Sequence, residues 1–218
     1  MAKGFEGQVA WITGAGSGLG RALALELARQ GADVAVSGRR LDKLEEVIAE
    51  ISALGRTGLA VPCDVAVDEQ VRDAASVVVA HFGHLDVAVA NAGVGVAGRI
   101  DKLSDAEWRR QMDANLFGVV NTARWALPEL QKTAGRLALV GSVSGIICLP
   151  GTGAYAASKF AVRAIGLTLA QELHGSGVTC TLIEPGFVTS DIVKVDNQGR
   201  YHPEYRDPRP KALVWPTD

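Results

Sequence analysis

Tyr155 and Lys159 stand four residues apart in GAYAASK, a run of small residues that favours a helix, so their side chains share one face. Ser142 lies thirteen residues before the tyrosine and closes RLALVGS, an apolar run that reads as a buried strand. A phenol, an ammonium and a hydroxyl brought to one strand end can move a proton to or from an alcohol.

The elements that must position these groups alternate along the chain. Apolar runs at residues 8–13, 33–38, 57–64, 85–93, 136–142 and 178–186 read as strands, with Pro62 near a strand end or at an edge. Helical stretches separate them. Residues 41–54 set Leu44, Val47, Ile48, Ile51 and Leu54 on one face, and Ser104 with Glu107 forms a capping box. The helix opened by that box is predicted to run to Pro128. Such alternation predicts an α/β fold, a three-layer, Rossmann-type, doubly wound parallel sheet with both faces covered. Ligands on such sheets bind beyond the carboxyl ends of the strands. A glycine loop after the first strand, Asp64, Asn91–Gly93, Ser142 and Pro185-Gly186 all fall at such ends, which argues for one shared site.

Composition narrows the class. With 218 residues, 48% hydrophobic, the chain is long enough for one sizeable core and short for two. A net charge of −2 carries no electrostatic footprint for nucleic acid or an acidic membrane. No internal repeat is present, and no apolar run nears the ~18 residues that suggest a membrane span. The amino terminus enters a strand without a long apolar leader, so a cytoplasmic location is expected. Cys63, Cys148 and Cys180 lack metal-ligand spacing and are expected to be reduced and mostly buried; no metal site is expected. His81 and His84 read as helix-end residues, Trp11 as core, and Trp108 and Trp125 as core or interface.

Gly14, Gly16, Gly18 and Gly20 follow the first strand and open a helix, with Ser17 and Leu19 between them. Glycine lets the backbone approach a phosphate, and the helix start supplies free N–H groups. The spacing is neither G-x-G-x-x-G, because Leu19 stands where the third glycine would, nor a P-loop. Arg39 and Arg40 occupy the end of the second strand, where an acidic residue would read the ribose of NAD. A guanidinium there pairs with the 2′-phosphate of NADP. The plainer reading is a solvated arginine pair before a helix.

Across residues 5–192 these features resemble the short-chain dehydrogenase/reductase family. Thr13-Gly14-x-x-x-Gly18-x-Gly20 looks like its TGxxxGxG loop, Asn91-Ala92-Gly93 its NAG motif, and Asn115, Ser142, Tyr155 and Lys159 its catalytic tetrad. The resemblance implies cofactor contacts from Asp64 and Val65, and from Pro185, Gly186, Val188 and Ser190. It also implies hydride transfer with Tyr155 as general acid or base. Lys159 would favour the phenolate and hold the nicotinamide ribose, Ser142 would bond the substrate oxygen, and Asn115 would hold a relay water. Each of these has a plain structural alternative: Ser142 as a strand cap, Asn115 as a helix brace, Tyr155 as core. NADP is the expected cofactor, with NAD as a second option, and a homodimer is the expected assembly, with a tetramer left open.

Two departures stand out. Ser190, beside Thr189, stands where the family usually has threonine, and four of the eight prolines fall between Pro203 and Pro216. The prolines argue against the family's seventh strand or a long helix there. The expected division is a cofactor-binding and catalytic domain at 1–190, and a substrate-loop or tail segment at 191–218. That segment either folds over the site or stays partly disordered. Gly93, Val94, Ile146, Ile147, Cys148, Leu149 and Phe187 are expected to frame an apolar substrate pocket, suited to a hydrophobic carbonyl or secondary alcohol. Two other functions remain open: a catalytically weak NADP-binding protein, and an isomerase or epimerase using tightly held cofactor.

Overall fold

The computed structural model describes residues 4–217 and turns the alternating pattern into one parallel sheet with helices on its faces. The strands are β1 (Val9–Thr13), β2 (Asp33–Gly38), β3 (Gly58–Pro62), β4 (Val87–Ala90), β5 (Arg136–Val140) and β6 (Thr179–Ile183). Their order is β3-β2-β1-β4-β5-β6, and every pairing is parallel. The order reverses between β1 and β4, so a crevice opens beyond their carboxyl ends. Pro62 ends the edge strand β3, where its missing N–H breaks no inner ladder.

Side-chain alternation splits the core into two layers. Ala10, Ile12, Val34 and Val36 pack under α1 (Gly18–Arg29) and α2 (Leu41–Ala53). Trp11, Ala35, Ala88, Leu137 and Leu139 face the other way, under α3 (Asp68–Phe82), α5 (Gly118–Thr133) and α6 (Gly153–Glu172). Trp11 is fully buried, and its indole donates to Ser37 Oγ at 2.9 Å. The sheet is flanked by helices as expected, and β6 forms one edge, where Thr179 and Thr181 are exposed.

The capping box forms as read, with Ser104 Oγ accepting from Glu107 N–H and the Glu107 carboxylate accepting from Ser104 N–H. The helix it opens departs from expectation in two ways. After α4 (Asp105–Met112) the backbone widens into a π turn at Asp113–Phe117 before α5 begins. And α5 passes through Pro128 to Thr133. Tertiary anchoring outweighs the proline's lost hydrogen bond: Leu130 is fully buried, and Thr133 Oγ1 donates to Leu85 O at 2.7 Å. Trp125 packs against the core and donates to Asp68 at 2.9 Å. His84 pairs with Asp86. Cys63 is buried, Cys180 half-buried and Cys148 exposed, so the expectation of mostly buried thiols holds for Cys63 alone in full.

Among the described residues the main sheet ends at β6 without a seventh strand, and the tail forms only a two-residue pairing outside that sheet. Val214–Trp215 (β8) pairs in parallel with Phe187–Val188 (β7), and Thr189 N–H donates to Trp215 O at 2.9 Å. Proline removes only its own N–H, and both residues of β8 lie between Pro210 and Pro216 with their backbone groups free. Between β7 and β8 the chain crosses the crevice, held by ion pairs and side-chain-to-backbone bonds. No helix among the described residues is long and apolar enough to cross a membrane.

Candidate active site

One cavity of about 930 Å³ occupies the crevice, at the upper end of the size range for small-molecule sites. Its floor is the loop leaving β1. Gly14 and Gly18 sit at φ +67° and +52°, the left-handed region that favours glycine. A Cβ on Gly14 would lie 2.6 Å from Ala92 Cα, and one on Gly20 would lie 2.4 Å from Asn91 Nδ2 and 2.5 Å from Gly14 O. The loop therefore seats against the end of β4 by backbone contact. Asn91 locks it there, its amide donating to Thr13 O at 2.9 Å and Gly14 O at 3.2 Å, while Thr13 Oγ1 accepts from Asn91 N–H. This tight loop at a helix start suits a pyrophosphate, so a dinucleotide fits the residues present.

At one end of the cavity lie Asp64, Val65, Arg39 and Arg40. Arg39 is exposed and makes no ion pair among the described residues. Arg40 is engaged: it pairs with Asp191 at 3.1 Å and lies 5.5 Å over the Tyr201 ring. Of the two candidates for a 2′-phosphate, Arg39 is the one left available.

At the other end α6 brings in Tyr155 and Lys159 beside Ser142 at the end of β5. Lys159 is 4% exposed, its Nζ donating to Val140 O at 2.8 Å and lying 5.8 Å from the Tyr155 ring centroid. Burial pulls its pKa down to about 8. Burial pushes the Tyr155 phenol up, while the Ser142 hydroxyl and the Arg209 charge act in the opposite direction. Ser142 Oγ accepts from Ser144 N–H at 3.1 Å, which leaves its own proton free to donate into the cavity. Asn115 sits fully buried in the π turn, a feature frequent at functional sites. Its amide is spent on Val94, with Oδ1 accepting from Val94 N–H at 2.7 Å and Nδ2 donating to Val94 O at 3.1 Å, and on Ser158. As a side chain it braces the loop after β4.

The cavity lining brings together Asn115, Ser142, Tyr155 and Lys159 with Gly14, Gly16, Ser17, Leu19, Gly20, Arg39, Arg40, Asp64, Val65, Asn91, Ala92, Gly93, Val94, Pro185, Gly186, Val188 and Ser190. Gly18 stands just outside it, packed toward Ser190, which a Cβ would approach to 2.7 Å. Of the residues expected to frame the substrate, Gly93 and Val94 line the cavity, while Ile146, Ile147, Cys148 and Leu149 are exposed and outside its lining; Gly98 N–H donates to Gly151 O at 2.8 Å, joining the loop after β4 to the loop after β5. Phe187 lies under the Arg209 guanidinium, 5.5 Å from its ring centroid. Residues missed in the sequence are Arg110 on α4 and Asp191, Ile192, Tyr201 and Arg209 on the tail. No motif marks them; only the fold brings them to the crevice.

The family profile described as short chain dehydrogenase matches residues 8–200. Among curated relatives, the 3-oxoacyl-[acyl-carrier-protein] reductase FabG of Staphylococcus epidermidis is 36% identical over 185 residues, covering 84% of this chain and 76% of that protein. The glycine betaine reductase ATRR of Emericella nidulans is 34% identical over 213 residues, 97% of this chain, yet the chain spans only 17% of that much longer protein. Two solved structures superpose closely. A short chain dehydrogenase from Burkholderia cenocepacia in complex with NADP matches with TM-score 0.83 at 34% identity, covering 86% of this chain and 77% of that one. One from Burkholderia phymatum in complex with NAD matches with TM-score 0.86 at 31% identity, covering 96% and 75%.

Proposed function

Because the chain belongs to the short-chain dehydrogenase/reductase family of NAD(P)-dependent oxidoreductases, we propose that it interconverts an apolar carbonyl compound and its secondary alcohol, using NADPH. The single observation that carries this reading is one continuous cavity, lined at one end by the glycine loop and at the other by Ser142, Tyr155 and Lys159.

When bound, the nicotinamide would supply or accept the hydride. In the reducing direction Tyr155 gives its proton to the substrate oxygen, and Ser142 donates a hydrogen bond to that oxygen as charge builds on it. The buried Lys159 ammonium, charged at neutral pH with its pKa about 8, lowers the cost of the phenolate left behind. Val140 O fixes its direction. Asn115 acts as a positioning residue, holding Val94 and with it the loop between cofactor and substrate; any relay water would sit between this turn and Lys159. NADPH is favoured over NADH because Arg39 is cationic and without a carboxylate partner among the described residues, although relatives are known with either cofactor.

An apolar substrate would enter past the exposed Ile146, Ile147 and Leu149 toward Val94 in the cavity wall, with Phe187 half-buried beneath Arg209. Residues 1–190 then form the cofactor-binding and catalytic body, and the tail from Asp191 a strap over the crevice. The exposed Phe117, Phe160 and Leu167 on the helices that hold Asn115 and Tyr155 support a homodimer across those helices. The test is NADPH oxidation against a panel of ketones and aldehydes. Tyr155→Phe should cut turnover by roughly 10²–10⁴-fold with NADPH affinity retained; unchanged turnover would overturn the assignment.

A further inference from the structure

The chain leaves the sheet at Ala90, yet Val96 in the loop that follows is buried, so its backbone groups need partners other than a strand. Two side-chain amides supply them. Gln111, near the end of α4, is fully buried. Its Oε1 accepts from Val96 N–H at 2.7 Å, and its Nε2 donates to Val94 O at 3.1 Å. Asn115, four residues on, pairs with both backbone groups of Val94, so Val94 O receives one donor for each lone pair. The second hydrogens of the two amides converge on one atom, Ser158 Oγ, at 3.4 Å from Gln111 and 3.3 Å from Asn115. That hydroxyl belongs to a fully buried residue and donates to Tyr155 O at 2.7 Å. Every polar hydrogen of the three side chains is thereby donated. The loop also meets the tail, where a Cβ on Gly95 would lie 3.4 Å from Ile192 Cγ1.

We propose that Gln111 is a positioning residue for the reaction, fixing through Ser158 the spacing between the Val94–Val96 loop and the turn of α6 that carries Tyr155. The inference rests on the oxidoreductase reading above and deepens it. Val94 and Tyr155 both line the cavity, whereas Gln111 and Ser158 stand outside the lining, so the network ties wall to proton donor without touching substrate. Packing alone does not call for an amide here: an apolar side chain of similar length would fill the space without the desolvation cost. A network whose hydrogens are all committed holds one arrangement and resists slippage. Misplacing reacting groups by about 1 Å can cost on the order of a hundredfold in rate, so holding that spacing has catalytic worth. The competing role for Gln111 is purely structural, a brace that satisfies the loop's backbone groups and nothing more.

Steady-state kinetics separate the two roles. The wild type, Gln111→Met, Ser158→Ala and the double variant Gln111→Met/Ser158→Ala would be assayed with NADPH and the best carbonyl compound of the ketone and aldehyde panel, with urea unfolding of each alongside. Gln111→Met keeps the length and volume but none of the hydrogen bonds. It is expected to lower kcat roughly ten- to a hundredfold while the KM for NADPH changes less than about threefold. Ser158→Ala should lower kcat in the same way, although it leaves every bond from Gln111 and Asn115 to the loop in place. The double variant should lose no more than about the larger single loss, because both changes cut one chain of contacts. A Gln111→Met protein that unfolds at lower urea yet keeps the wild-type kcat overturns the proposal and leaves the brace. Single losses in kcat that multiply in the double variant also overturn it, since the two residues would then act separately. Either result leaves the oxidoreductase reading standing, whereas a wild type without NADPH turnover on any compound of the panel overturns both. Circular dichroism identifies a variant that fails to fold, and if Gln111→Met is one, Ser158→Ala carries the comparison: an unchanged kcat there overturns the proposal.

Discussion

The glycine loop and the tail strap wall the same cavity and are held by different physics. The loop is fixed by close backbone approach: the Cβ positions of Gly14 and Gly20 are occupied to within 2.6 Å by the end of β4 and the loop itself. The strap is fixed by side-chain staples, Arg40 to Asp191, the Asn197 amide to both backbone groups of Ala97, Gln198 to Glu107, and Arg209 to Val188 O. Steric contact admits one residue type at each position. Polar surface contacts admit many, and each contributes little. A wall of the first kind leaves a readable motif, and a wall of the second kind does not.

The largest effect expected from this contrast comes from the sealed interior. Burial lowers Lys159 from 10.5 to about 8, so between those values the unfolded chain binds a proton that the folded chain has released. Stability should therefore rise with pH from about 8 toward 10.5, by up to about 3 kcal/mol, before the raised pKa of Tyr155 begins to act in the same range and above. The Tyr155 contribution has its own sign: a folded phenol that keeps its proton longer than the unfolded one adds protons to the folded side, so its stability contribution is lost as pH rises past ~10. Urea unfolding of the wild type and Lys159→Met at pH 8 and 9.5 checks the first part. The wild type should gain on the variant, and no relative gain would mean the ammonium is not sealed from solvent.

Next in size is Gly20→Ala, which has no room for its methyl beside Asn91 and Gly14 O. It should cost about 1–3 kcal/mol in urea unfolding and weaken NADPH and NADH alike, since the loop serves the part that both cofactors share. A neutral result would erase the distinction drawn between the two walls. Asn197→Ala removes two neutral hydrogen bonds to Ala97 and should cost about 1–2 kcal/mol at most locally, seen as faster hydrogen exchange in residues 191–205, with global unfolding little changed. A collapse of global stability would make the strap part of the core.

The smallest effect is a pH window in the strap. Although partial burial opposes it, hydrogen bonds from Arg200 N–H, His202 and the Arg200 guanidinium hold the Asp196 carboxyl well below the usual carboxylate range. Hydrogen bonds to Asp196 and Glu204 hold His202 above its usual value. The pair is fully formed while His202 is protonated and Asp196 ionised. Exchange protection around Asp196 should fall as pH rises through the raised His202 value, and fall again in strong acid as Asp196 takes up its proton. Asp196→Asn should flatten this profile without changing the protection of β1.

How far the chain could be read in advance follows the same division. Strand positions, the doubly wound order of elements and the convergence of the glycine loop with Ser142, Tyr155 and Lys159 follow from apolar periodicity and fixed spacings. Three features do not. The π turn at Asp113–Phe117 leaves no composition signal, and Pro128 sits inside a helix that its propensity opposes. The apolar segment Ile146–Leu149, expected to form a pocket wall, is exposed and outside the cavity lining.

What the sequence by itself determined is therefore the local and the sterically unique: alternating strands and helices, glycine where no Cβ fits, and a tyrosine and lysine one helical turn apart. What only the tertiary structure decided is how distant residues share one space. Arg39 is left available because Asp191 engages Arg40 across more than a hundred intervening residues, and Arg110 and Arg209 reach the crevice from α4 and the tail. Local chain geometry writes a period into the sequence, whereas a contact between remote side chains depends on packing and carries no period at all.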